Sequence, residues 1–212
     1  MNIKRYINNP LAISVAGNVA MILVRMFYTK SLFFGFILWN LFLASIPLII
    51  SSAIYRRKNL ARPLLYGCLF IWLLFLPNAP YIITDLVHLE HRPPAPFWYD
   101  MLIFLLSAIN GLVLGFLSIS QVEHIFRQRN AVRLLLPFRL VIMMAMSYGV
   151  YLGRYLRFNS WDAILNPFTV AEGIINSVRV GTLGFVLTFS FVSFILYSFY
   201  RAILRNRFRE AS

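Results

Sequence analysis

The sequence is poor in charge and nearly devoid of cysteine. Only 13% of its 212 residues are Asp, Glu, Lys or Arg, where a soluble domain carries about a quarter. So little charge cannot cover the surface of a water-soluble fold, and that class is excluded. The single cysteine, Cys68, rules out an internal disulfide and a cysteine-built metal cluster. No Gly-rich phosphate loop follows a strand pattern; Gly181 and Gly184 fall inside an apolar run, where they read as helix packing. Ser107 and Ser118 lack a His or Asp at a recognisable spacing, so a serine hydrolase has no support. Long linkers, charge blocks and internal repeats are missing too. The chain reads as one integral membrane domain over residues 1–212.

What fills the sequence is apolar: 60% of it. A bilayer core of about 30 Å needs roughly 20 apolar residues of helix. Six runs qualify or nearly so: Leu11–Tyr28, Leu32–Tyr55, Leu64–Ile83, Trp98–Ser120, Leu134–Leu152 and Val180–Tyr200. The expected fold is all-α, a polytopic transmembrane bundle of about six spans with short extracytoplasmic helices. The first run, interrupted by Asn18 and Arg25, reads as an uncleaved span. Only Thr29, Lys30 and Ser31 part it from the second, which predicts a tight helical hairpin.

The net charge of +13 raises nucleic acid as a partner. Its placement excludes that, because the basic residues sit in short clusters between apolar runs instead of forming one patch. One set of connections and tails holds Lys4, Arg5, Arg56, Arg57, Lys58, Arg62, Arg127, Arg129, Arg133, Arg201, Arg205, Arg207 and Arg209. The opposite set holds Lys30, Arg92, Arg154, Arg157 and Arg179. The first set belongs in the cytoplasm, together with both termini. Arg25 and Arg139 lie near the ends of spans, where long side chains can snorkel toward water. Most acidic residues fall on the other side: Asp85, Glu90, Asp100, Asp162 and Glu172, against Glu123 and Glu210. Membrane lipids are the expected surroundings, with Trp98, Tyr151 and Trp161 among the aromatics at the boundaries. Gly111 and Gly115 form a small-residue face for packing within the bundle, or for a homodimer or other protein partner.

Two polar stretches emerge on the outward side. In Leu76-Pro-Asn-Ala-Pro-Tyr-Ile-Ile-Thr-Asp-Leu-Val-His-Leu89, Pro77 and Pro80 remove backbone donors and break the third helix. Asn78 between them is placed to satisfy a freed carbonyl. Thr84 or Asp85 then caps a short helix carrying Asp85 and His88 on one face. In Tyr151-Leu-Gly-Arg-Tyr-Leu-Arg-Phe-Asn-Ser-Trp-Asp162, a continuing fifth helix would set Arg154 and Arg157 on a shared face.

These two stretches resemble the characteristic segments of an uncharacterised family of bacterial multi-pass membrane proteins, the domain of unknown function thirteen sixty-one. The likeness runs from about the second span to the end. It implies a bacterial plasma-membrane protein and nothing about activity. By motif match, Asn78, Tyr81, Thr84, Asp85, His88, Arg154, Arg157, Asn159 and Asp162 are the polar positions it singles out.

Each has a plainer reading beside the functional one. Asp85, His88 and His91 are of metal-ligand type, but their spacing is not that of the zincin helix, and a capping Asp explains the first pair as well. Asn159 with Asp162, and Thr169 with Glu172, read as capping boxes. Arg154 and Arg157 suit a phosphate or carboxylate, or an ion pair with Asp85, Asp100 or Asp162. Three functions stay open: transport or binding of an anionic or lipid-like ligand, a membrane enzyme acting on a lipid-linked or phosphorylated substrate, and an accessory subunit. Cofactor and metal requirements are undetermined. Asp85 or His88 is expected within about 10 Å of Arg154 or Arg157, where opposite charges screen one another.

Overall fold

A computed structural model of the chain describes residues 3–57, 60–90, 93–128 and 132–210. Lys58, His91, Arg92 and Arg129 lie outside them. The helices are α1 (Ile3–Thr29), α2 (Gly35–Arg56), α3 (Arg62–Phe75), α4 (Asn78–Thr84), α5 (Phe97–Gln128), α6 (Leu135–Tyr155), α7 (Asp162–Leu165), α8 (Pro167–Ser177) and α9 (Val180–Glu210). Single 3-10 turns cover Asp85–His88 and Val132–Leu134. No strand occurs among the described residues. Six helical segments are long and apolar enough to cross a membrane, α3 and α4 acting as one span with the turn that follows. The protein is therefore a multi-pass membrane protein built as an all-α bundle.

The third span breaks where its prolines require it. Pro77 and Pro80 have no N–H to donate, so α3 stops at Phe75 and α4 begins at Asn78. Across the break, Ala79 N donates to Leu76 O at 3.1 Å and Tyr81 N to Pro77 O at 3.1 Å. The freed carbonyl of Phe75 accepts from Asn78 Nδ2 at 2.9 Å, as its position between the prolines led us to expect.

α5 is the central helix. Buried residues recur along most of its length, and α1, α2 and α4 all pack on it. Its small residues make room for α4: a Cβ on Gly111 would fall on the carbonyl oxygen of Ala79, and one on Gly115 would come within 2.8 Å of Ala79 Cβ. That face is filled from within the chain, so a homodimer through Gly111 and Gly115 would first have to displace α4. On the other side of the bundle α9 packs against α6. Gly181 and Gly184 do not serve this contact. A Cβ added at either meets nothing within 4 Å, which corrects the packing role expected for them.

The first span is tied to α5 by a polar ladder. Ser14 donates to Asn110 Oδ1 at 2.7 Å, Asn18 Nδ2 to Ser107 Oγ at 2.9 Å, and Arg25 grips Asp100 through Nε at 2.5 Å and Nη2 at 2.9 Å. The turn to α2 is short, with Lys30 at φ 50°, yet α1 packs more on α5 than on α2. Arg25 and Arg139 therefore do not snorkel. Arg25 is buried on Asp100, and Arg139 forks onto buried Glu123 at 2.6 and 2.8 Å, where Tyr197 also donates at 2.9 Å.

Candidate functional site

A half-open cavity of about 860 Å³ lies among α2, α3, α4, α6 and the α7–α8 connection. Two glycines of α6 let the broken span come close enough to form its back wall. A Cβ on Gly149 would overlap Pro77, and one on Gly153 would stand 3.2 Å from the Tyr81 ring. Leu43, Leu73, Leu74, Ala145, Leu152, Val170 and Ile174 give the cavity apolar walls. Its polar lining comes from Asn40, Asn78, Tyr81, His88, Tyr148, Arg154, Arg157, Asn159 and Ser160.

Arg154, in the last turn of α6, is the hub. Its Nη1 donates to Asp85 Oδ1 at 3.3 Å, its Nη2 lies 3.1 Å from His88 Nε2, and its guanidinium sits 5.9 Å from the Tyr81 ring centroid. A guanidinium has donors only, so a hydrogen bond here takes His88 Nε2 as its acceptor. Asp85 stands behind the lining, 2% exposed, and also accepts from Asn40 Nδ2 at 2.7 Å. One buried carboxylate thus joins three helical segments: α2 through Asn40, α6 through Arg154, and the turn after α4.

Arg157 departs from the expectation. α6 ends at Tyr155, so Arg154 and Arg157 do not share a helical face. Arg157 instead takes the left-handed conformation at φ 59° just past the helix end, a position usually given to glycine. Phe158 N then turns back to donate to Leu152 O at 3.2 Å. The exposed Arg157 side chain lines the cavity and has no hydrogen-bond or ion-pair partner among the described residues. The helix break that separates the two arginines in register still leaves both at the same cavity.

Of the nine positions the sequence pointed to, Asn78, Tyr81, His88, Arg154, Arg157 and Asn159 line the cavity, and Asp85 lies directly behind it. Thr84 and Asp162 do not. Thr84 is no cap; its hydroxyl donates to Tyr81 O at 2.6 Å. Asp162 completes half a capping box, accepting from Asn159 N at 2.7 Å, while no side chain caps α7 in return. Nor do Thr169 and Glu172 open a helix, because α8 starts earlier, with Pro167 in its first turn. Among the described residues no third His, Cys, Asp or Glu joins Asp85 and His88 into a metal-binding group; His91 lies outside them.

Asn40, Tyr148 and Ser160 went unread in the sequence. Asn40 alone had a visible signal, a lone amide amid the apolar second span. Ser160 accepts from Asn78 Nδ2 at 2.7 Å across the cavity rim.

A family model described as "Protein of unknown function (DUF1361)" matches residues 39–196. The chain belongs to that family. The match begins at Trp39, one residue before Asn40, and takes in every residue of the cavity. It leaves out α1, which the polar ladder attaches to the family region. Neither the curated proteins nor the solved structures compared with the chain contain a match.

Proposed function

We propose that this DUF1361 protein binds an anionic amphipathic ligand in the cavity beside Arg154 and Arg157. The observation that carries this reading is Arg157, a guanidinium with no partner among the described residues, kept in a backbone conformation that disfavours its side chain, on the lining of a cavity that sets polar groups beside apolar walls. A non-glycine residue in the left-handed region costs on the order of 1 kcal/mol, a cost usually met where a function needs the side chain there. Arg154 has two of its donors engaged by Asp85 and His88, and its remaining N–H groups are available to share an oxyanion with Arg157. The apolar walls suit a hydrocarbon portion, and about 860 Å³ lies within the usual range for small-molecule sites.

Orientation belongs to the same reading. The bias of Lys and Arg assigns the end bearing both termini to the cytoplasm of a bacterial plasma membrane. The cavity, at the opposite end, then faces outward or toward the outer leaflet. Beyond it the bundle is filled by Trp72, Leu76, Phe116, Met143 and Met146, so binding is favoured over free passage.

Calorimetric titration of the purified protein with dodecyl phosphate tests this. Saturable one-to-one binding, lost with Arg154→Ala, is the expected result. Heat no greater than that from the neutral maltoside of the same chain length would refute an anion-selective site.

A further inference from the structure

The connection from α6 to α9 joins two membrane spans, so it starts and ends at the membrane boundary. It is pinned near both ends. At the start, Ser160 accepts from Asn78, and Trp161 meets Trp39 edge-on with ring centroids 6.4 Å apart. Near its end, the Tyr148 hydroxyl lies 2.8 Å from Ser177 Oγ and donates to Ile174 O at 3.3 Å. Tyr148 precedes the end of α6 by seven residues, about 10 Å along the helix. The carboxyl-terminal part of α8 is therefore held against the flank of α6 and not above its tip.

Between these anchors, α8 is apolar on two sides. Val170 and Ile174 line the cavity. Phe168 and Ile175, on the other side of the helix, are 89% and 73% exposed. A helix capping a water-facing surface keeps one polar face; a helix lying in the membrane interface buries its outer apolar face in lipid. The cavity also runs deep, since Ala145 on its lining precedes the end of α6 by ten residues, about 15 Å of helix. That reaches the level of acyl chains.

We infer that α8 is a membrane-embedded strap separating the cavity from the bilayer, and that the ligand is a bilayer lipid with an anionic phosphate headgroup, its chain lying beneath the strap. This rests on the anionic-site reading above and names its ligand class. The headgroup meets Arg154 and Arg157 while an acyl chain packs on Val170 and Ile174. The outer face of the strap, Phe168 and Ile175, contacts bulk lipid. The polar residues Thr169, Glu172 and Asn176 lie on the arc between the two faces, Glu172 nearest the outer one.

Two measurements on the full chain in phosphatidylcholine nanodiscs test it. In a Cys68→Ser background, a bimane fluorophore on Phe168→Cys should lose most of its emission when the bilayer contains brominated phosphatidylcholine; an unquenched probe overturns the strap. Native mass spectrometry of the protein released from nanodiscs doped with phosphatidic acid should show one phosphatidate per chain. Retention should fall about tenfold, a loss of about 1.4 kcal/mol, in Arg157→Gly. If dodecyl phosphate binds but phosphatidate is retained no better than phosphatidylcholine, the lipid assignment fails and the anionic site stands. If neither binds, both fall.

Discussion

Arg154 reaches from the end of α6 to Asp85 at 3.3 Å and holds His88 with the neighbouring nitrogen at 3.1 Å. Asp85 is 2% exposed, and a carboxylate so placed depends on its partner. Removing one member of such a pair is far costlier than neutralising both. Arg154→Ala is expected to lower stability in detergent by about 3 kcal/mol. Asp85→Asn keeps one accepting oxygen but sets a donor-only NH2 against Arg154 or Asn40, and because Arg154 stays on the cavity lining the change should cost about 1–3 kcal/mol. The informative variant is the double one: Asp85→Asn should restore most of what Arg154→Ala loses. Additive losses in chemical unfolding would show that the two groups are not coupled.

The Arg25–Asp100 pair follows the same physics deeper in the bundle, with side chains 3% and 1% exposed. Arg25→Met alone should cost about 3–5 kcal/mol and loosen α1 from α5. Arg25→Met with Asp100→Leu should come close to the parent stability. Protease sensitivity of the α1–α2 connection gives a second readout, rising in the single variant and not in the double.

Glycine scanning separates packed from unpacked faces. Gly111→Ala drives a methyl into the backbone of α4 at Ala79, so it should cost about 1–3 kcal/mol, as overpacking does. Gly184→Ala meets open space and replaces glycine within a helix, so it should be neutral or stabilising by up to about 1 kcal/mol. Equal melting temperatures for the two would contradict the seating of α4 on α5.

The spans and the break at Pro77 were legible because each rests on local sequence, and the meeting of Asp85 with Arg154 because the order of the spans brings their two stretches to one end. Apolar run length, missing proline donors and two polar stretches at one end of a six-span order all speak before the chain folds. Arg25 and Arg139 were misread for the opposite reason. Whether an arginine near a span end snorkels or is buried depends on a carboxylate 75 or 16 residues away, and no local pattern carries that. Arg157 shares a face with Arg154 only if the fifth helix runs on through it; the left-handed turn that ends α6 has no glycine to announce it. Gly181 and Gly184 look like a packing motif, yet among the described residues nothing lies within 4 Å of a Cβ at either. α8 was invisible as a cavity wall, since its outward Phe168 and inward Val170 are both simply apolar in the sequence.

Topology is open to a direct check. Reporter fusions after Leu60 and after Glu90 should report opposite compartments, with Leu60 on the cytoplasmic side, as the Lys and Arg bias requires. The same compartment for both would break the six-span order.

The most direct test of the anionic site is the affinity for dodecyl phosphate of the parent and of Arg157→Gly, measured side by side with their melting temperatures. Glycine suits the left-handed backbone at φ 59°, so this variant removes the guanidinium without straining the fold. Affinity should fall about tenfold or more, at least about 1.4 kcal/mol, while the melting temperature holds or rises. Unchanged affinity with an unchanged or higher melting temperature would contradict the site.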